Sequence, residues 1–376
     1  MTSVFYLFRD APHRRAALEL ERRSPARYSL YGMDELADRG YAVRHNLERA
    51  APAAWARLTG AGLKRGLEAA GGYGGDFATV LSSLRALNRA DAVLSTVDTV
   101  GIPLMLLARA RVVRPPFVYV AIGLPERLVQ LRSARVQGLY ARALGAASAV
   151  VAYSEHETDV LRQWLAERGV DARVEFVRFG VDVEAFGPTG APPEVDVVSI
   201  GGDPHRDFEL LLRVARSLPE TSFLVVTTAE HARSLGALPA NVAVETDLPF
   251  AEMRRRLERA RVVALPVREN SYSGATTVLL QAMALAKPVV VTRTAAIATG
   301  YGLEDGANLR LAPPGDAGGF GRVLADLLGD DGRARELGAQ ARRTVESGLS
   351  WDRYVGRLEE QLRAAAQSRD VRRSTA

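Results

Sequence analysis

Unbroken runs of β-forming apolar residues alternate with amphipathic helical segments along this chain, and the alternation occurs twice. In the first half the runs 4–8, 42–45, 92–95, 117–122, 149–153 and 174–178 read as strands; 28–38, 77–87, 102–110, 134–144 and 155–168 read as helices. In the second half the strands are 195–200, 223–227, 242–244, 262–266, 289–292 and 308–312. The helices there are 208–217, 250–260, 276–285, 319–328 and 332–347. A strand without polar alternation is buried on both faces, and helices between such strands cover a parallel sheet. Between the halves, residues 187–195 (G-P-T-G-A-P-P-E-V) form the clearest linker. A chain of 376 residues is long enough for two cores. The expectation is therefore an α/β protein of two doubly wound, Rossmann-like domains facing each other across a cleft at the carboxyl ends of both sheets, where such folds hold ligands.

Composition removes several classes of function. The apolar share of 47% and charged share of 25% are those of a soluble globular protein. No apolar run approaches the roughly 20 residues that span a bilayer, and residues 3–8 are too short and too soon followed by charge for a secretory signal. The chain has no cysteine, and His13, His45, His156, His205 and His231 are scattered. No disulfide, thiol nucleophile or metal site is expected, and the location expected is cytoplasmic. The net charge of +5 is uneven: residues 1–188 carry 25 Lys and Arg against 20 Asp and Glu, while 189–376 carry 24 against 24. Lys64 and Lys287 are the only lysines, an arginine bias expected of a GC-rich bacterial genome. A mildly basic first half is compatible with a solvated face, an anionic acceptor or peripheral contact with an anionic membrane. No basic stripe with interleaved aromatics is present, so nucleic acid is not expected.

Residues 270–292, N-S-Y-S-G-A-T-T-V-L-L-Q-A-M-A-L-A-K-P-V-V-V-T, carry the most chemistry. A small-residue turn opens an apolar helix, Lys287 and Pro288 stop it, and a strand follows. A glycine-opened helix start offers unpaired N–H groups and a positive dipole end, which suit a diphosphate. Four further segments accompany it: 149–186 with F-G-V-D-V-E-A-F at its end, 200–211 (I-G-G-D-P-H-R-D-F-E-L-L), 312–316 (A-P-P-G-D) and 350–354 (S-W-D-R-Y).

In this order and spacing the five segments resemble retaining family 4 glycosyltransferases of the GT-B fold. The resemblance implies an acceptor-binding domain over 1–188, a nucleotide-sugar donor domain over 189–350, and a tail helix over 351–368 that crosses back to the first. Donor diphosphate binding would fall on Gly201, Gly202, Arg206, Gly274, Ala275, Thr276 and Thr277, with Arg206 as the catalytic cation. A guanidinium suits phosphate and the charge that builds on the leaving group. The bland alternatives are an ion pair of Arg206 with Asp203 or Asp207, and a helix start capped by Ser273. The family's paired glutamates fall on Ser273 and Gln281. Gln281 still offers an amide oxygen to a ribose hydroxyl, without charge assistance, or else it is a satisfied core amide. The role of the first acid passes to Glu269 or Asn270, or the donor is a deoxysugar. Base recognition is expected near Thr228 and Leu248, largely through backbone.

In the first domain the family's histidine before glycine is replaced by Ile122 ahead of Gly123, and its asparagine before Gly180 by Phe179. Asp98, just beyond a strand, is a candidate to face donor sugar or acceptor. Residues 71–75 (G-G-Y-G-G) are a flexible acceptor loop or a plain linker, and no catalytic base can be assigned. The resemblance implies a metal-independent, retaining hexosyl transfer from a nucleotide-diphosphate sugar to a hydroxyl or amine of a small-molecule or glycan acceptor. The nucleotide sugar is a co-substrate and no cofactor is needed. The alternative is a degenerate GT-B protein that binds a nucleotide sugar or partner subunit without transfer; a third reading has a lipid acceptor at the membrane.

Overall fold

The computed structural model describes residues 1–22, 24–271, 274–297 and 299–374. They form two compact units, Met1–Val177 with Val355–Ala376, and Arg178–Tyr354. The unit boundary precedes the proline-rich stretch 187–195, which lies inside the second unit.

The first unit holds strands β1 (Ser3–Leu7), β2 (Ala42–His45), β3 (Ala92–Thr96), β4 (Phe117–Val120), β5 (Ala149–Ala152) and β6 (Val174–Phe176). They make one parallel sheet in the order β2-β1-β3-β4-β5-β6. The second holds β7 (Val195–Ile200), β8 (Phe223–Thr227), β9 (Val242–Thr246), β10 (Ala260–Leu265), β11 (Val289–Thr292) and β12 (Arg310–Ala312). Their order is β12-β11-β10-β7-β8-β9, again all parallel. All twelve expected strands are present, with ends moved by at most two residues. The unbroken apolar runs are buried: β3, β4, β5, β8 and β11 are buried along their full length, as covering helices on both faces require.

Three readings of the sequence change. The expected helix 28–38 is a 3-10 turn, Pro25–Leu30, and a separate helix, Met33–Asp38, divided by Tyr31 and Gly32 at φ 53° and 75°. The expected helix 102–110 begins earlier, at Asp98, which places Pro103 inside it. Proline cannot donate to the carbonyl four residues back; here the Thr99 carbonyl accepts the Asp76 N–H at 2.7 Å instead. That bond ties the end of the 71–75 loop to the helix, so the loop is packed rather than a loose linker. Helices Pro12–Glu19, Ala54–Ala69, Leu124–Val129 and Ala229–Ser234 were not expected at all.

Two of the quoted segments have structural jobs. Asp316 of A-P-P-G-D caps helix Ala317–Gly329, its Oδ1 accepting the Gly319 N–H at 2.8 Å. Asp316→Ala is expected to lower stability by about 1 kcal/mol, the usual cost of losing a cap, read from urea denaturation midpoints. Residues 179–181 and 349–351 pair: the Val181 N–H donates to Leu349 O, and Trp351 N–H to Val181 O, both at 2.9 Å. Phe179 packs against Trp351 and Tyr354 with ring centroids 5.8 and 4.9 Å away. The last helix runs Trp351–Ser374, longer than the expected 351–368. Among the described residues no helix is long and apolar enough to cross a membrane.

Candidate functional site

In the second unit, β7 lies between β10 and β8, so the connections leaving β7 and β10 run to opposite sides of the sheet. A crevice at the carboxyl ends of the strands opens at such a reversal. The loop after β7 brings Gly201, Gly202 and Arg206 to this point, and the loop after β10 brings Val267, Glu269 and Asn270. Backbone bonds stitch the two loops: Asp207 N–H to Pro266 O at 3.0 Å, and Arg268 N–H to His205 O at 2.8 Å.

Arg206 is buried, with a side chain 1% exposed, and its Nε lies 2.8 Å from Asp203 Oδ2. The partner is Asp203 rather than Asp207, which instead caps helix Phe208–Ser217 by accepting the Leu210 N–H. A Cβ on Gly201 would stand 2.1 Å from Arg206 Nε. Only glycine lets the chain leave β7 with the guanidinium seated against its backbone.

Helix Thr276–Ala284 follows the loop after β10. Its N-cap residue, Ala275, is helical (φ −85°, ψ −10°) and has no side chain that can accept a hydrogen bond. The first N–H groups of the helix therefore have no cap from that residue. Ser273, a candidate for the cap and for the donor sugar, lies outside the described residues. Thr276 is buried, Thr277 and Gly274 half-buried. Gln281 is 3% exposed, and its Oε1 has no hydrogen-bond partner among the described residues.

The other expected positions have local partners. Asn270 is buried, with Nδ2 donating to Arg268 O at 2.8 Å. Exposed Glu269 accepts the Ala295 N–H at 3.1 Å. Thr228 caps helix Ala229–Ser234 by accepting the His231 N–H. Leu248 is half-buried after Asp247, which has φ 52° and joins β8 to β9 by donating its N–H to Thr227 O at 3.0 Å.

Asp98 belongs to the first unit and to a cluster that the sequence did not disclose. Val97, a β-branched residue at φ 60°, ψ 157°, leads into it from β3. Such backbone costs about 1–3 kcal/mol and gathers at functional sites. Asp98 Oδ1 accepts the Tyr119 hydroxyl at 2.5 Å, and Arg127 Nε lies 3.8 Å from Oδ2. Burial raises the Asp98 pKa to about 6 against the pull of Tyr119 and Arg127. Glu157, buried nearby, accepts the Gly123 N–H at 2.7 Å; burial raises its pKa to about 8. Beside them a cavity of about 530 Å³ is lined by Glu68, Gly72, Tyr73, Arg127, Gln130 and Arg132, with the Arg127 guanidinium 4.2 Å from the Tyr73 ring centroid. The one sequence signal for Glu157 was the Ser154-x-x-Glu157 capping spacing, which points to the helix end and not to Gly123.

Residues 195–330 match the family model described as glycosyl transferases group 1. A search of curated proteins gives no match. Among solved structures, the sucrose-phosphate synthase (tll1590) of Thermosynechococcus elongatus aligns with TM-score 0.72 at 17% identity, over 97% of this chain and 100% of that one. The α,α-trehalose 6-phosphate synthase of Burkholderia multivorans aligns with TM-score 0.69 at 12% identity, over 99% and 98%. Anabaena Alr3699/HepE, in complex with UDP and glucose, aligns with TM-score 0.66 at 14% identity, over 97% and 100%. At these identities the structures speak for the fold, while the family match covers the second unit's sheet and the loops at its carboxyl edge. The chain thus has the GT-B fold, and residues 195–330 of its second unit are similar to the glycosyl transferases of group 1.

Proposed function

We propose that the protein is a retaining glycosyltransferase that moves a hexosyl group from a nucleotide-diphosphate sugar to a hydroxyl or amine of a small-molecule or glycan acceptor. The observation that carries this is the joining, at the β7/β10 reversal, of the Gly201–Arg206 loop to the loop that leads into a helix whose N-cap residue offers no acceptor. The diphosphate would lie on the N–H groups of Ala275, Thr276 and Thr277, where the helix dipole favours negative charge. Arg206 adds a fixed cation for the charge that develops as the sugar departs, shared with Asp203. Gln281 Oε1 is an open acceptor for a ribose hydroxyl. The Alr3699/HepE complexes with UDP and with UDP-glucose support a nucleotide sugar as the ligand class. The nucleotide sugar serves as co-substrate, and the reading calls for no separate cofactor.

The test is thermal-shift titration with UDP, GDP, ADP and dTDP. One of them should stabilise the protein, by about 2.7 kcal/mol at a hundred times its Kd. No response to any of the four would end the reading. With the responding nucleotide known, slow hydrolysis of its sugar conjugates, with the anomer released read by NMR, separates a transferase from a protein that only binds.

A further inference from the structure

Helix Ala54–Ala69 is built inside out. It packs on helix Phe77–Leu87 through small residues: Ala56 is fully buried, and a Cβ on Gly60 would meet the Ala78 backbone nitrogen at 2.7 Å. An ordinary surface helix turns its large apolar residues toward the core. Here Trp55 is 54% exposed and Leu58 78%, and with Gly62 they follow an i, i+3, i+7 stripe on the side away from the Ala56–Gly60 contact. Leu63, at the flank, is 40% exposed. Arg57 stands to one side of the stripe and Arg65 within it, both exposed, while Lys64 lies nearer the Gly60 side. Lys64 has Glu68 at 3.8 Å; Arg57 and Arg65 form no ion pair among the described residues. The half of the chain that holds this helix also carries the whole excess of positive charge.

We infer that the outer face of helix Ala54–Ala69 docks the first unit onto an anionic lipid surface. A tryptophan and a leucine on one stripe, with Arg65 on it and Arg57 beside it, match the two sides of a headgroup boundary. The apolar groups enter the acyl edge, while the arginine stems lie along it with their charges on phosphate oxygens. The charge argues for lipid over a second copy of the chain, since two such faces would bring like-charged arginines together. Glu68, at the end of this helix, lines the first-unit cavity, so docking would set that cavity beside the headgroups. The inference does not depend on the transfer reading, because vesicle binding requires no donor and nucleotide binding requires no lipid.

Co-sedimentation with phosphatidylcholine vesicles, with and without phosphatidylglycerol, tests it. Binding is expected only with phosphatidylglycerol and should weaken as NaCl rises. The Trp emission should shift to the blue on binding, and Trp55→Phe should remove the shift, since the chain's other tryptophans, Trp164 and Trp351, are not on this helix. Trp55→Ser with Leu58→Ser should weaken vesicle binding at least about tenfold, from the loss of apolar area to the lipid. The same pair should leave the nucleotide response and the melting temperature unchanged, both positions being exposed. Arg57→Gln with Arg65→Gln should weaken binding mainly at low salt. No binding to phosphatidylglycerol vesicles, or binding indifferent to the Trp55/Leu58 pair, would overturn the inference. So would a lipid-free dimer, seen by sedimentation velocity, that the pair abolishes while vesicles are ignored; that result would give the face to a second copy.

Discussion

Arg206→Ala should lose nucleotide stabilisation and also destabilise the second unit by about 3 kcal/mol, because it leaves the Asp203 carboxylate without its buried partner. The two effects have different origins and can be separated. Asp203→Asn combined with Arg206→Ala removes both charges, and losing a pair together costs far less than losing one member. An asparagine at 203 can still accept the His205 N–H that Asp203 Oδ1 now accepts at 3.1 Å. The double variant should therefore regain most of the stability in urea denaturation and remain blind to nucleotide. If the reading of Arg206 is right, its donor turnover should stay down by about 10²–10³, the usual effect of removing one donor to developing charge. A double variant that binds nucleotide like the parent would show Arg206 to be a structural ion pair and leave the diphosphate to backbone alone.

The ease of reading each part of this chain follows from the physics of its elements. Strands buried on both faces leave an unbroken apolar signature, so β3, β5 and β11 could be placed almost to the residue. The helix Ala54–Ala69 could not, because it packs through Ala56 and Gly60 and sends Trp55 and Leu58 outward. A search for an apolar stripe facing a core finds no such helix. Arg206 was legible as a cation after a glycine turn, but choosing Asp203 over Asp207 needed coordinates, since both flank it in sequence. Phe179 stood out as a departure from the family pattern; its partners Trp351 and Tyr354 lie far along the chain, so its packing role had no local signal. Glu157 shows the same limit for charge. Its spacing from Ser154 describes a helix cap, and that half is made, with the Glu157 N–H donating to Ser154 Oγ at 3.0 Å. The carboxylate, however, turns to Gly123 on a loop from another strand.

That turn gives Glu157 the second large effect. Its pKa is about 8 in the folded chain against an ordinary value of 4.5, with burial as the main cause. The folded state therefore holds a proton that the unfolded chain has released throughout this interval, and stability falls as pH rises from about 4.5 to about 8. The contribution is fully present below the unfolded value and lost through the folded one, on the order of 4 kcal/mol by pH 8. Asp98 acts with the same sign over a narrower window, between its ordinary value of 3.8 and about 6. Glu157→Gln keeps an acceptor for the Gly123 N–H and removes the titration. The variant should match the parent near pH 4.5 and exceed it by a few kcal/mol at pH 8, with denaturation midpoints that decline less across that range. Asp98→Asn, which keeps an acceptor for Tyr119, should flatten only the acid side, below about pH 6. Parallel pH profiles for parent and Glu157→Gln would show that the carboxyl ionises freely in the folded protein, and that the end of the first sheet is wetter than its packing indicates.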